Sequence, residues 1–209
     1  MKICGIDDAG RGSMIGPLVI AGITIEKKNI KKLKTIGVRD SKKLSPKMRE
    51  ILYKKIIEIV DNFFVIRIPP KTIDHYVFSH NLNHLEAKTM AKIIVNLKPK
   101  ISYVDSCDIN YKRFGKEISA FASNAKVLSY HHADSKFVVV SAASIIAKVS
   151  RDRSIKRLNK NFNLGSGYPS DKKTVRSVKK ILSSKKLNQS FIRISWKPVQ
   201  KIINSSRSN

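Results

Sequence analysis

The sequence predicts an α/β fold: a mixed sheet flanked by helices, with a small helical C-terminal region. Three observations carry that prediction. Short apolar, β-branched runs at residues 2–6, 18–25, 63–68, 101–104 and 127–128 have the length of strands. Longer segments at 46–59, 83–97, 111–121, 138–158 and 171–182 repeat apolar residues at helical spacing. The strands come first as a hairpin-like pair and then alternate with helices, the order expected of a mixed layered sheet.

The elements follow in order. The first strand ends at Asp7, and the turn Ala9-Gly10-Arg11-Gly12-Ser13 leads into Leu18–Ile25, expected to run antiparallel to it. Residues 27–34 read as a basic connector. Ser45-Pro46 opens a helix, with Ser as N-cap and Pro at the first helical position. The strand at 63–68 is stopped by Pro69-Pro70, and Pro99 stops the helix over 83–97. The segment Gly165-Ser166-Gly167-Tyr168-Pro169 reads as a rigid loop. Beyond Ser190 a Ser-Trp segment leads into a polar tail expected to fray. Residues 1–160 are assigned to a core, and 161–209 to a loop, a helical region and that tail.

Charge narrows the function. The chain of 209 residues carries 42 Lys and Arg against 15 Asp and Glu, a net of +27, a field that attracts polyanions and above all nucleic acid. No apolar run approaches a membrane span, so no membrane partner is expected. There is no secretory leader pattern at the N-terminus, and Cys4 and Cys107 have no paired spacing. They read as buried, reduced thiols of a cytoplasmic protein rather than zinc ligands.

In so basic a chain each carboxylate is worth locating. Asp7 and Asp8 adjoin at the end of the first strand, Asp105 ends a later strand, and Asp134 lies in a polar turn before an apolar helix. Strand ends of α/β sheets are where ligand sites form. Converging carboxylates repel unless a cation binds, and oxygen-only donors favour Mg²⁺ or Mn²⁺. Two such ions are a common device for phosphodiester cleavage. The plainer readings stay open: Asp134 as a helix cap, Asp105 as a turn acceptor. Convergence does not follow from spacing alone.

Several segments together resemble the type 2 ribonuclease H family, ribonuclease HII in particular. They are Gly5-Ile6-Asp7-Asp8-Ala9-Gly10-Arg11-Gly12, Asp40-Ser41-Lys42-Lys43-Leu44, Tyr103-Val104-Asp105, His132-Ala133-Asp134-Ser135-Lys136, Val140 to Lys148, Arg151-Asp152, Gly165 to Asp171 and Ser195-Trp196. They stand in family order, and the Gly-Ser-Gly-Tyr-Pro loop is similar to the archaeal and eukaryotic branch. The resemblance implies a ribonuclease H-like, mixed five-stranded sheet. It implies four acids, Asp7, Asp8, Asp105 and Asp134, that are both catalytic and ligands to Mg²⁺ or Mn²⁺, with two ions during catalysis. It implies that Gly10, Arg11 and Gly12 read the ribose 2′-hydroxyl, that Tyr168 stacks on the neighbouring sugar, and that Ser41, Lys42, Lys148 and Arg151 hold phosphates. One position departs from the family: Asp8 stands where Glu is usual, shorter by about 1.5 Å. That substitution is expected to shift metal preference toward Mn²⁺.

The activity so implied is hydrolysis of RNA in RNA–DNA hybrids, and cleavage 5′ of ribonucleotides embedded in duplex DNA, leaving a 3′-hydroxyl and a 5′-phosphate. The alternative is a non-catalytic hybrid-binding protein weakened by Asp8. A related-fold DNA nuclease is opposed by the Gly-Arg-Gly and Tyr168 elements, and a ribosome-associated protein by the ordered acids. His131 and His132 beside Asp134 suggest a proton shuttle, which the reading does not adopt. Gln200 and Ile203 faintly resemble a sliding-clamp docking motif, but its aromatic pair is absent and no clamp partner is predicted. A monomer is the default.

Overall fold

The computed structural model describes residues 1–38, 44–184 and 189–205. Ser41 and Lys42 lie outside the described residues. The strands are β1 (Lys2–Ala9), β2 (Leu18–Glu26), β3 (Asn62–Ile68), β4 (Ile101–Asp105) and β5 (Val127–Tyr130). The helices are α1 (Ile30–Thr35), α2 (Pro46–Ile59), α3 (Pro70–Phe78), α4 (Leu82–Leu97), α5 (Tyr111–Phe121), α6 (Ala133–Lys136), α7 (Val138–Asn159), α8 (Lys172–Leu182) and α9 (Lys197–Ser205). The sheet has the order β3-β2-β1-β4-β5. β1 and β2 pair antiparallel from Lys2↔Glu26 to Ala9↔Val19, while β1–β4 and β4–β5 are parallel. The mixed sheet is thus the predicted one.

The chain folds as two compact units. The first holds Met1–Ala9, Val19–Ile66 and Asn83–Ser150; the second holds Gly10–Leu18, Arg67–Leu82 and Arg151–Asn209.

In the first unit helices cover both sheet faces. Consecutive strand residues point to opposite faces, and two glycines of the hairpin show what lies on each. A Cβ on Gly5 would sit 2.2 Å from the Val139 main chain, so α7 lies directly on β1 there. A Cβ on Gly22 would strike Ile93 of α4 at 2.4 Å. Ile3, Val19, Ala21, Ile23 and Ile25 form one buried cluster with Leu52 and Ile56 of α2 and Val139, Ala142, Ala143 and Ile146 of α7.

The second unit has its own core of Met14, Ile15, Ile155, Leu164, Val178, Ile181, Phe191, Ile192 and Val199. Its order depends on two carboxylate anchors, Asp74 buried and Asp171 partly exposed. Asp74 of α3 accepts from Ile194 N (3.1 Å), Ser195 N (2.9 Å) and Ser195 Oγ (2.5 Å). Asp171 caps α8 and closes the preceding loop, accepting from Ser166 N at 2.7 Å, Lys173 N at 2.9 Å and Thr174 Oγ1 at 3.2 Å. The main-chain donor of Ser166 leads in holding its carboxyl down at about 2.

Four local expectations need correction. β1 runs on to Ala9, because its ladder with β2 continues that far, so Asp7 and Asp8 lie within the strand. The basic connector is a 3₁₀ turn, Lys27–Asn29, followed by α1, whose Leu33 is buried. Pro70 begins α3 rather than only ending β3: its missing N–H costs nothing at a first helical position. The tail folds through Ser205 as α9, seated by buried Val199.

Candidate active site

The register of β1 against β4 builds the core of the site. Gly5 pairs with Tyr103 and Ile6 with Val104, so the next residues, Asp7 and Asp105, fall side by side on the face that α7 covers. Asp7 is 5 % exposed. Burial first, and the charge of Asp105 second, push its carboxyl up to about 7. Opposing them are a hydrogen bond from Ser144, the positive field of Lys148 and the Asp8 N–H, which donates to Asp7 Oδ1 at 2.7 Å. Ser144 and Lys148 are one helical turn apart on α7, and Lys148 Nζ donates to Ser144 Oγ at 2.6 Å. The charge that repels Asp7 is therefore Asp105's. Asp8, the next residue of the strand and half-buried, gives Asp7 its main-chain N–H.

Asp134 comes to this region through α6. Asp105 Oδ1 accepts from Ala133 N at 2.6 Å, which ties the strand end to the residue before Asp134. His132 takes left-handed backbone angles (φ 55°, ψ 42°) to make that sharp entry. Asp134 is 5 % exposed and lines a pocket of about 380 Å³ with Lys34, Val38, Ser135, Lys136, Val138 and Ser141. His131 is otherwise engaged, its Nε2 donating to the Asp108 carbonyl at 2.8 Å. Against the pull of burial, donors from Asn83, the Asn110 N–H and Arg113 hold Asp108 below the usual carboxylate range. Burial pushes the Cys4 thiol up to about 12, as befits an inert side chain, whereas Cys107 is half-buried and donates to Glu86 at 3.2 Å.

Among the described residues no three His, Cys, Asp or Glu side chains form a ready-made cation cage. The arrangement is an open one: a close pair, Asp7 and Asp105, with Asp134 tied in through α6. The pair nonetheless fits a hard divalent cation. Its donors are all oxygens, and its mutual repulsion at neutral pH is what a cation would relieve.

The second unit carries the other candidate residues. Gly10 has φ +85°, and a Cβ there would lie 3.1 Å from the Pro17 carbonyl and 3.2 Å from Arg151 Cγ, so the turn demands glycine. Ser13 N closes it on Gly10 O at 3.2 Å. Gly12 differs: a Cβ there would meet nothing within 4 Å, so the fold leaves open space beside it. Arg151 is 3 % exposed. Its guanidinium donates to Ser13 Oγ (2.8 Å) and Ser166 O (2.6 Å) and lies 4.2 Å from the Tyr168 ring centroid. Buried so, it braces the turn and the tyrosine loop.

The ribonuclease HII family model matches residues 4–199. The chain belongs to the ribonuclease HII family. It is 50% identical over 202 residues to ribonuclease HII of Cenarchaeum symbiosum, covering 97% of this chain and 98% of that one. The crystal structure of ribonuclease H2 from Pyrococcus horikoshii OT3 superposes with a TM-score of 0.92 at 43% identity and complete coverage of both chains. The ribonuclease HII of Archaeoglobus fulgidus, solved as a complex with PCNA, gives a TM-score of 0.87 at 39% identity, with 96% of each chain covered. The five-stranded sheet is that of these ribonucleases H, and the chain is an endoribonuclease, a hydrolase of nucleic acid that depends on divalent metal as its family does.

Three residues of these two regions were not singled out from the sequence. Ser144 relays between Lys148 and Asp7, Asp74 anchors Ser195, and Arg193 is wholly buried. Only the scarcity of acids in this chain could have drawn attention to Asp74.

Proposed function

We propose that this enzyme hydrolyses the RNA strand of RNA–DNA hybrids and cuts on the 5′ side of ribonucleotides embedded in duplex DNA. The observation that carries the reading is the buried Asp7 carboxyl beside Asp105, its pKa raised by burial and by that neighbouring charge and tempered by Ser144 and Lys148. Asp7, Asp8, Asp105 and Asp134 would hold Mg²⁺ or Mn²⁺, two ions during catalysis. When bound, the metal supplies an activated water and charge stabilisation at the leaving oxygen. The protein's part is to hold the carboxylates still: Ala133 N fixes Asp105, while Asp8 N and Ser144 fix Asp7. No side-chain nucleophile is required, and His131 is spent on a carbonyl.

Recognition of RNA falls to the Gly10–Gly12 main chain, where open space beside Gly12 admits a sugar and its 2′-hydroxyl separates RNA from DNA. Tyr168, held flat by Arg151, offers a stacking face to the next sugar. Lys148 stays a candidate phosphate contact, and Ser41 and Lys42 are assigned to phosphates on resemblance alone. The PCNA complex of the Archaeoglobus relative favours a sliding clamp as a second partner, with α9 as the place to test it.

The test is cleavage of a DNA duplex bearing one ribonucleotide, beside an RNA–DNA hybrid and an all-DNA duplex, with Mg²⁺ and Mn²⁺ tried separately. A cut just 5′ of the ribonucleotide, absent from all-DNA, is the expected result. Cutting of the long hybrid alone would restrict the substrate range. Tight binding without cutting in either metal would favour the non-catalytic reading.

A further inference from the structure

Arg193 has no part in the chemistry above, yet it is wholly buried and is among the largest fully buried side chains of the described residues. A guanidinium keeps its charge in proteins and brings N–H groups that must find acceptors. Here Nε donates to the Gly16 carbonyl at 3.0 Å and Nη1 to the Arg11 carbonyl at 2.9 Å. The chain around it is a short ladder: Arg193 N donates to Met14 O at 2.9 Å, Gly16 N to Phe191 O at 2.8 Å, and Ile15 pairs antiparallel with Ile192. Asp74 then locks Ile194 and Ser195. The guanidinium carbon lies 5.6 Å from the ring of Trp196, the one tryptophan of the chain.

The ladder by itself joins Met14–Gly16 to Phe191–Arg193. It does not reach Arg11; the Arg193 side chain does. A buried ion is weak support for stability in general, and its best-attested use is to select one conformation. The conformation selected here has a definite consequence. In a trans peptide the carbonyl of one residue and the N–H of the next point in opposite directions. With the Arg11 carbonyl turned toward the buried guanidinium, the Gly12 N–H is turned away from it. Gly12 is exposed, with open space beside its Cα.

We propose that Arg193 is a positioning residue for ribose recognition: by capturing the Arg11 carbonyl it aims the Gly12 N–H at the 2′-hydroxyl of the substrate. The inference rests on the proposed role of the Gly10–Gly12 turn. Arg193 itself touches no substrate.

The test compares wild type with Arg193→Lys and Arg193→Gln, each checked for folding by thermal melting. Without divalent metal, Kd is measured for a DNA duplex with one ribonucleotide and for the all-DNA duplex of the same sequence. In folded variants the preference for the ribonucleotide duplex is expected to fall about tenfold in Arg193→Gln, and less in Arg193→Lys, which keeps one charged donor. Affinity for all-DNA is expected to stay unchanged. Trp196 emission in wild type should respond to the ribonucleotide duplex and not to all-DNA. A folded variant with wild-type preference overturns the proposal. If neither variant folds, the wild-type emission decides: identical responses to the two duplexes overturn it. If wild type neither prefers nor cuts the ribonucleotide duplex, the proposed function fails first and this inference falls with it.

Discussion

The two regions that carry candidate residues are built on opposite principles. Around Asp7 the first unit holds a conflict: a buried carboxylate beside another, raised to about 7, with one lysine to temper it. Around Gly10–Gly16 the second unit holds the reverse, a turn whose main chain is gripped by Arg151 through Ser13 and by Arg193 directly. On the proposed function, a cation would complete the first region, whereas the second is complete beforehand, so that little ordering would remain when a sugar arrives. On that reading chemistry and recognition answer to different perturbations.

The largest expected effect falls on the first region. Asp105→Asn should lower cleavage by about a thousandfold, since a metal ligand supplies several kcal/mol of transition-state stabilisation. Single-turnover rates in Mg²⁺ check this, and a rate within tenfold of wild type would remove Asp105 from the metal site. The same conflict predicts a pH effect of definite sign. A carboxyl raised from 3.8 to about 7 favours the fold while protonated, and that contribution is lost as pH rises between those values. In EDTA, Asp7→Asn should therefore melt higher than wild type at pH 8, by on the order of 2 kcal/mol. The gap should close toward pH 4, and added Mn²⁺ should raise wild type alone.

The second region should show losses of stability and selectivity instead. Asp74→Ala leaves three donors without their acceptor, the two of Ser195 buried, and should cost about 3 kcal/mol in chemical denaturation. Arg151→Lys keeps the charge but loses the fork that serves Ser13 and Ser166. Cleavage at an embedded ribonucleotide should fall about tenfold, near 1.4 kcal/mol, with all-DNA binding unmoved. The smallest effect is expected at Asp8. Asp8→Glu restores the family's usual residue and should change the Mg²⁺ to Mn²⁺ rate ratio a few-fold; an unchanged ratio would mean that side-chain length there is immaterial.

Much of the fold was legible because its punctuation is local. Ser45 caps α2 through Met48 N at 3.2 Å, Asn110 caps α5 through Arg113 N at 3.0 Å, and short, almost continuous apolar runs mark β1 and β2. Where reading failed, a local cue had two meanings. Pro69-Pro70 ends one element and begins another, and the polar face of α9 outweighs its seat at Val199 in composition. Asp7 and Asp8 look like the repelling pair in one dimension because adjacency in sequence is visible, whereas Asp105, the charge that raises Asp7, is brought close only by the sheet.

By itself, then, the sequence determined the mixed sheet, the attraction to polyanions, the family and the set of acids worth testing. These depend on periodicity, charge and motif order, all properties of the chain in one dimension. The tertiary structure alone decided that Asp7 contends with Asp105, that Arg151 braces Ser13 and Ser166, and that Arg193 holds Arg11. Each depends on register or burial between residues roughly a hundred or more positions apart, where desolvation and hydrogen-bond geometry change what a side chain can do.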